Sequence, residues 1–178
     1  LHESIRNAFI KAFVGPDGKI LESSQTGYAL AFAFDLIPEE LRAAAAEQFA
    51  AEIARFDNHL ATGFIGTPRL LPSLVRAGRS DLAYTLLMNE TFPSWLYQVK
   101  LGSTTMWERW NGWSPEKGFA DPGMNSFNHY AFGAVGEFMY TDVAGIQPRA
   151  DGVKKIIIRP TPGGGLNSAK LPYRSIRG

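Results

Sequence analysis

The chain has no cysteine, only three histidines, and no charge excess of either sign, with eighteen basic residues set against seventeen acidic ones. The first absence excludes disulfide staples and thiolate metal sites and leaves the redox compartment open, because a cysteine-free chain suits cytoplasm and periplasm alike. His2, His59 and His129 are scattered without ligand spacing, so neither a metal nor another cofactor is indicated. The balanced charge offers no basic stripe of the kind that tracks nucleic acid or an anionic lipid surface. No apolar run reaches the roughly 18 residues that a bilayer-spanning helix needs. Neither nucleic acid nor a membrane is therefore an expected partner. The opening Leu1-His2-Glu3 is unlike a translation start and unlike the charged-then-apolar leader of an exported protein. It is consistent with an excised piece, and localisation stays open between cytoplasm and a secreted or periplasmic site.

What is present is an ordinary globular composition, 45% hydrophobic and 20% charged, in a length sufficient for one sizeable core. Ile5, Phe9, Ala12 and Phe13 lie on one face of a helix over 3–14 that stops at Gly15-Pro16-Asp17-Gly18, and Lys19-Ile20-Leu21 is too short to assign. Ser24 to Leu36 is apolar on every side and reads as a buried helix. Pro38, Glu39 and Glu40 suit a first helical turn, followed by an amphipathic helix to about residue 56 with Leu41, Ala45, Phe49 and Ile53 inward. Pro68 to Ala77 is a largely apolar helix. Ser80 is a candidate cap for a helix running to about Glu90, and Ser94 to Lys100 forms a short one. Asn125 to Val143 carries apolar residues on both flanks; Asn125 or Ser126 would cap it, placing Asn128 and His129 in its first turn. Buried helices (24–36, 68–77, 126–143) thus alternate with amphipathic ones (39–56, 80–90), a pattern that suits two concentric rings. Beyond Gly145 the composition changes: Val153 to Arg159 reads as a strand, Pro160 to Gly165 as a loop, and Leu166 to Ile176 as a second strand. A lone two-stranded hairpin is marginal in water, so this tail is expected to be poorly ordered or paired with another chain.

The chemistry concentrates between Gly102 and Gly136. Glu108 lies between Trp107 and Arg109, with Trp110 next, Trp95 upstream and Trp113 in the following loop; Asn125, Asn128 and His129 come after it. Aromatic faces beside a carboxylate are what a sugar site needs: pyranose faces stack on indoles, hydroxyls pair with Asn, Arg and His, and a Glu among aromatics can be tuned for acid–base work. Arg109 is the expected electrostatic neighbour that keeps Glu108 ionised. The alternative is that the tryptophans are core, Glu108 and Arg109 are an ordinary surface pair, and His129 is a core histidine bonded to a carbonyl.

The residues also carry a resemblance. Thr104-Thr105-Met106-Trp107-Glu108-Arg109-Trp110-Asn111-Gly112, followed by Met124-Asn125-Ser126-Phe127-Asn128-His129-Tyr130-Ala131-Phe132-Gly133, resembles the bacterial α-L-rhamnosidases of glycoside hydrolase family 78. Gln25-Thr26-Gly27-Tyr28-Ala29-Leu30, His59-Leu60-Ala61-Thr62-Gly63-Phe64-Ile65-Gly66-Thr67-Pro68, and the run Tyr84 to Tyr97 with Phe92-Pro93-Ser94-Trp95 fit in the family's order, covering roughly residues 24–160.

The resemblance implies a mainly α chain: part of an (α/α)6 barrel, roughly its second half, over 1–146, and the first strands of an incomplete C-terminal β-sandwich over 147–178. It implies that the parent hydrolyses terminal α-L-rhamnosides with inversion, Glu108 acting as general base and His129 contacting the sugar. Trp107, Trp110 and either Trp95 or Trp113 would wall the sugar, with Arg109, Asn125 and Asn128 on its hydroxyls. The family's general acid lies upstream of the Gln-Thr block, where this chain has too little room. The chain alone is therefore expected to be inactive, its open apolar arc covered by the N-terminal remainder of the catalytic domain or by another chain. The rival expectation is a helical module that binds carbohydrate without catalysis, or one that is purely structural.

Overall fold

The computed structural model of the chain describes residues 1–148 and 156–174. Helices dominate: α1 (His2–Phe13), α2 (Gln25–Ala33), α3 (Arg42–Ala54), α4 (Thr67–Arg76), α5 (Ser80–Met88), α6 (Trp95–Lys100) and the single turn α7 (Val135–Phe138). Two helix starts follow directly from local chemistry. The Ser24 hydroxyl accepts the Gly27 N–H at 3.0 Å and the Ser94 hydroxyl accepts the Tyr97 N–H at 3.1 Å, each satisfying an N–H that the helix itself leaves unpaired. Ser80 does not act as a cap: it is the first residue of α5, and Arg79, ion-paired to Asp81 at 3.2 Å, stands in the cap position. Glu39–Leu41 is a 3₁₀ turn leading into α3, so the expected helix over 39–56 is present in two pieces.

The helix α4 is the centre of the packing. It lies against α2, α5, α7 and the turn before α7, while α3 backs onto α2. The expected alternation is visible in these contacts, with α4 touching both α2 and the 131–138 segment, α3 against α2 and α5 against α4. Tyr28, Phe32 and Phe49 stack across α2 and α3 with ring centroids 5.5 and 5.9 Å apart. Leu70, Leu71 and Leu74 of α4 and Leu86 of α5 complete a core from which water is excluded. Across the α2–α4 contact the Ser73 hydroxyl donates to the Ala29 carbonyl at 2.7 Å, so this polar side chain is buried with its bond made. By contrast α1, amphipathic in sequence, has no buried residue, and Ile5 is 58% exposed.

Two expectations are corrected. The helix expected over 126–143 begins only at Ala131, as a 3₁₀ turn (Ala131–Ala134), then α7, then a π turn (Met139–Val143). Asn125 and Ser126 cap nothing, and Asn128 and His129 precede the helix, because the backbone of 126–129 is already paired with 105–108. In the tail, Ile146–Pro148 (β1) pairs antiparallel with Ile156–Ile158 (β2), Ile146 opposite Ile158. The expected partner strand over 166–176 does not form in its described part, 166–174; the rest of it, and residues 153–155 of the first expected strand, lie outside the described residues. The 161–164 loop docks on α5 instead. Tyr84 donates its hydroxyl proton to the Thr161 carbonyl, the Thr161 N–H donates to the Asp142 carbonyl at 2.8 Å, and Gly163 lies against the Tyr84 ring so closely that an added Cβ would be 2.3 Å from it.

Candidate active site

Two extended strips form the base of the site. The His129 N–H donates to the Met106 carbonyl at 2.8 Å, the Glu108 N–H donates to the Ser126 carbonyl at 2.9 Å, and the Thr105 hydroxyl donates to the Phe127 carbonyl. The Ser126 N–H in turn donates to Glu108 Oε2 at 2.8 Å. Glu108 is thus bound to Ser126 through both its backbone and its carboxylate. A carboxylate accepting a backbone N–H is held in one orientation, here a half-buried one.

Glu108 lines a cleft of about 440 Å³ together with Arg109, Trp110, Asn111, Thr62, Gly63, Phe64, Phe92, Pro93, Met124 and Phe132. Trp110 lies flat on Phe132, 3.9 Å between centroids and 4° between planes, with its edge against Trp95 at 5.4 Å. Its indole N–H donates to the Thr62 carbonyl at 3.2 Å. His129 stacks between Phe64 at 4.6 Å and Tyr130 at 5.1 Å, and its Nδ1 accepts the Ala131 N–H at 3.3 Å. With Nδ1 accepting, the ring proton of a neutral His129 is on Nε2. A larger hollow of about 630 Å³ lies between the end of α1 and Arg55, but it shares no residue with this motif and no indole reaches it.

The structure brings Glu108, Arg109 and Trp110 to one cleft and sends the neighbouring tryptophans elsewhere. Trp107, 5% exposed, packs its ring on Phe127 and lines a separate hollow with Trp113 and Phe119. Trp95 is 6% exposed and donates its indole N–H to the Phe132 carbonyl at 2.9 Å, so it supports the Trp110–Phe132 pair from behind. Arg109 forms no ion pair with Glu108 among the described residues, and its carbonyl is held by the Gln98 carboxamide at 3.1 Å; adjacent side chains on an irregular turn diverge. Asn125 donates to the Gly112 carbonyl at 2.8 Å, which ties the 112–125 loop, and its Oδ1 is buried without a partner. Asn128 is exposed. Thr62, Phe64, Phe92, Met124 and Phe132 are not among the expected site residues, although all five stand inside the blocks that carry the resemblance. No three His, Asp or Glu side chains converge as a metal site among the described residues, and no helix there is long and apolar enough to cross a membrane.

Residues 1–143 match the bacterial α-L-rhamnosidase six-hairpin glycosidase domain, and residues 145–178 match the bacterial α-L-rhamnosidase C-terminal domain. The chain belongs to this family. An α-L-rhamnosidase of Streptomyces avermitilis is 51% identical over 178 residues, covering 100% of this chain and 17% of the relative. One from Formosa agariphila is 48% identical over 182 residues, covering 99% of the chain and 20% of the relative. The crystal structure of the Streptomyces avermitilis enzyme complexed with L-rhamnose superposes with a TM-score of 0.87 at 52% identity, over 92% of this chain and 16% of that one. The native Aspergillus terreus enzyme superposes with a TM-score of 0.83 at 39% identity, over 92% of this chain and 19% of that one. The chain therefore spans about a fifth or less of the length of these rhamnosidases. A mainly helical chain within a six-hairpin domain, followed by a few strands, is the expected fold class.

Proposed function

We propose that this chain supplies the base side of a site that hydrolyses terminal α-L-rhamnosides with inversion. The observation that carries the reading is the single cleft holding Glu108, Arg109 and the Trp110 indole, in a chain with a 52% identical relative crystallised with L-rhamnose. Glu108 is the general base. Its Oε2 is engaged by Ser126, so Oε1 takes the proton of the attacking water. That water adds to the anomeric carbon from the face opposite the leaving oxygen, and the glycosidic bond breaks as the leaving oxygen receives a proton. The acid that gives this proton stands about 6.5–9.5 Å from the base in an inverting site, leaving room for the water. Among the described residues Glu108 is the one carboxylate lining the cleft, so the acid is assigned to the part of the enzyme outside this chain. Arg109 and His129 contact sugar hydroxyls, and Phe64, Phe92 and Met124 face the 6-methyl group. The exposed apolar face of α1 is covered by the rest of the barrel.

The same single carboxylate favours a second reading, in which the cleft binds rhamnosides without cleaving them. Release of 4-nitrophenol from its α-L-rhamnoside by the full-length protein separates the two. In that protein Glu108→Gln is expected to lower kcat by about 10²–10⁴-fold while KM stays within a few-fold, the size of a lost proton transfer. Full activity in the variant sinks the base assignment; absence of turnover in the unsubstituted protein, with rhamnose still quenching Trp fluorescence, selects the binding reading.

A further inference from the structure

Gln25-Thr26 has no role in the chemistry above, yet the fold sets it against the His59–Pro68 block, whose Thr62, Gly63 and Phe64 line the cleft. Gln25 is 0% exposed, and both ends of its carboxamide are bonded. Nε2 donates to the His59 carbonyl at 2.8 Å and Oε1 accepts the Ala61 N–H at 2.9 Å, so one side chain clamps both sides of Leu60. A buried amide bonded to a loop in this way fixes the loop's backbone, because any displacement leaves the Gln25 carboxamide itself unpaired away from water. The loop is seated a second time at Gly66, where an added Cβ would be 2.3 Å from Thr26 Oγ1. The first turn of α2 is therefore a platform for residues 59–66.

Those residues form one wall of the cleft and hold the others. The Thr62 carbonyl receives the Trp110 indole N–H, and its hydroxyl bonds Thr67 at 2.8 Å. Phe64 carries the His129 ring on its face. We infer that Gln25 is a positioning residue for the sugar cleft: through the 59–64 loop it sets the orientation of Trp110 and of His129 while touching neither. This rests on the rhamnoside reading for its functional consequence and on the bonds above for its mechanism. Loss of the clamp loosens a binding wall rather than the proton transfer at Glu108, so it acts on KM more than on kcat.

The test uses the full-length protein with Gln25→Leu and Gln25→Glu, steady-state kinetics on 4-nitrophenyl α-L-rhamnoside, and hydrogen exchange at the Ala61 amide and the Trp110 indole. Gln25→Leu is expected to raise KM about tenfold with kcat within about threefold, and to speed both exchange rates by about tenfold. Gln25→Glu keeps the acceptor for Ala61 but sets a carboxylate oxygen against the His59 carbonyl. Its KM defect is expected to shrink relative to the unsubstituted protein as pH falls, when the protonated carboxyl can again donate to His59. That rescue separates positioning from general damage, and it applies even if the Leu variant fails to fold. A KM and exchange rates unchanged in both variants overturn the inference, as does a Glu variant with a KM defect independent of pH. If the unsubstituted protein shows no rhamnosidase activity, the functional reading falls, and the exchange rates alone decide the role of Gln25: unchanged rates overturn it and accelerated rates uphold the clamp.

Discussion

At the scale of single residues, polar side chains under partial burial decide more than the tryptophans do. Composition pointed to the indoles as sugar walls, but Trp95 and Trp107 are spent on packing and only Trp110 reaches the cleft with Glu108. The sequence could not distinguish them, because an indole is equally useful as core and as platform and adjacent residues leave a turn in different directions. Asp142 shows how burial sets a titration. Burial pushes its carboxyl above the ordinary range, nearby Glu137 adds to this, and the Thr141 hydroxyl and Arg76 oppose it. A folded-state value above the unfolded one means that the stability it contributes is fully present below the unfolded pKa, and is lost as pH rises through the folded one. Asp142→Asn is therefore expected to raise the melting temperature at pH 7, the gain vanishing below about pH 4, where the unfolded carboxyl is protonated as well. Equal melting shifts at both pH values would show that ionisation is not what costs.

At the scale of elements, helices whose starts carry a Ser or Pro signal were legible, and α2, α4 and α6 start within a residue of where Ser24, Pro68 and Ser94 put them. The helix over 126–143 was misread for a physical reason. Its composition is helical, but the Ser126 N–H and C=O, the Phe127 C=O and the His129 N–H are claimed by 105–108, a partner about twenty residues away that no local pattern reveals. Burial, not amphipathicity, decides what each helix contributes. Leu74→Ala on α4, at a site 0% exposed, is expected to cost about 2–5 kcal/mol by chemical denaturation. Ile5→Ala on α1, more than half exposed in this chain by itself, is expected to stay within about 0.5 kcal/mol there, and to cost more in the full-length protein, where the rest of the barrel covers α1. Similar costs at the two sites would mean that α1 is packed more tightly than its exposure indicates.

For the molecule as a whole, the helical part and the C-terminal segment are joined through Tyr84, Asp142 and the Gly163-Gly164 turn. Gly163 has no room for a side chain against the Tyr84 ring. Gly163→Ala is expected to lift the loop and speed amide exchange at Thr161 by roughly tenfold, with exchange in α4 unchanged. Unchanged exchange at Thr161 would mean that the contact with Tyr84 does not hold the segment.

By itself the sequence determined the helical class, the alternation of buried and amphipathic helices, and the family, because these depend on periodicity and on blocks of residues read in order. Only the tertiary structure decided which indole meets Glu108, that Glu108 is held by Ser126 rather than by Arg109, and that Gln25 bonds the backbone on both sides of Leu60. Each of these rests on hydrogen bonds between residues 15 or more positions apart, and the direction in which a side chain leaves the backbone is set by those distant partners.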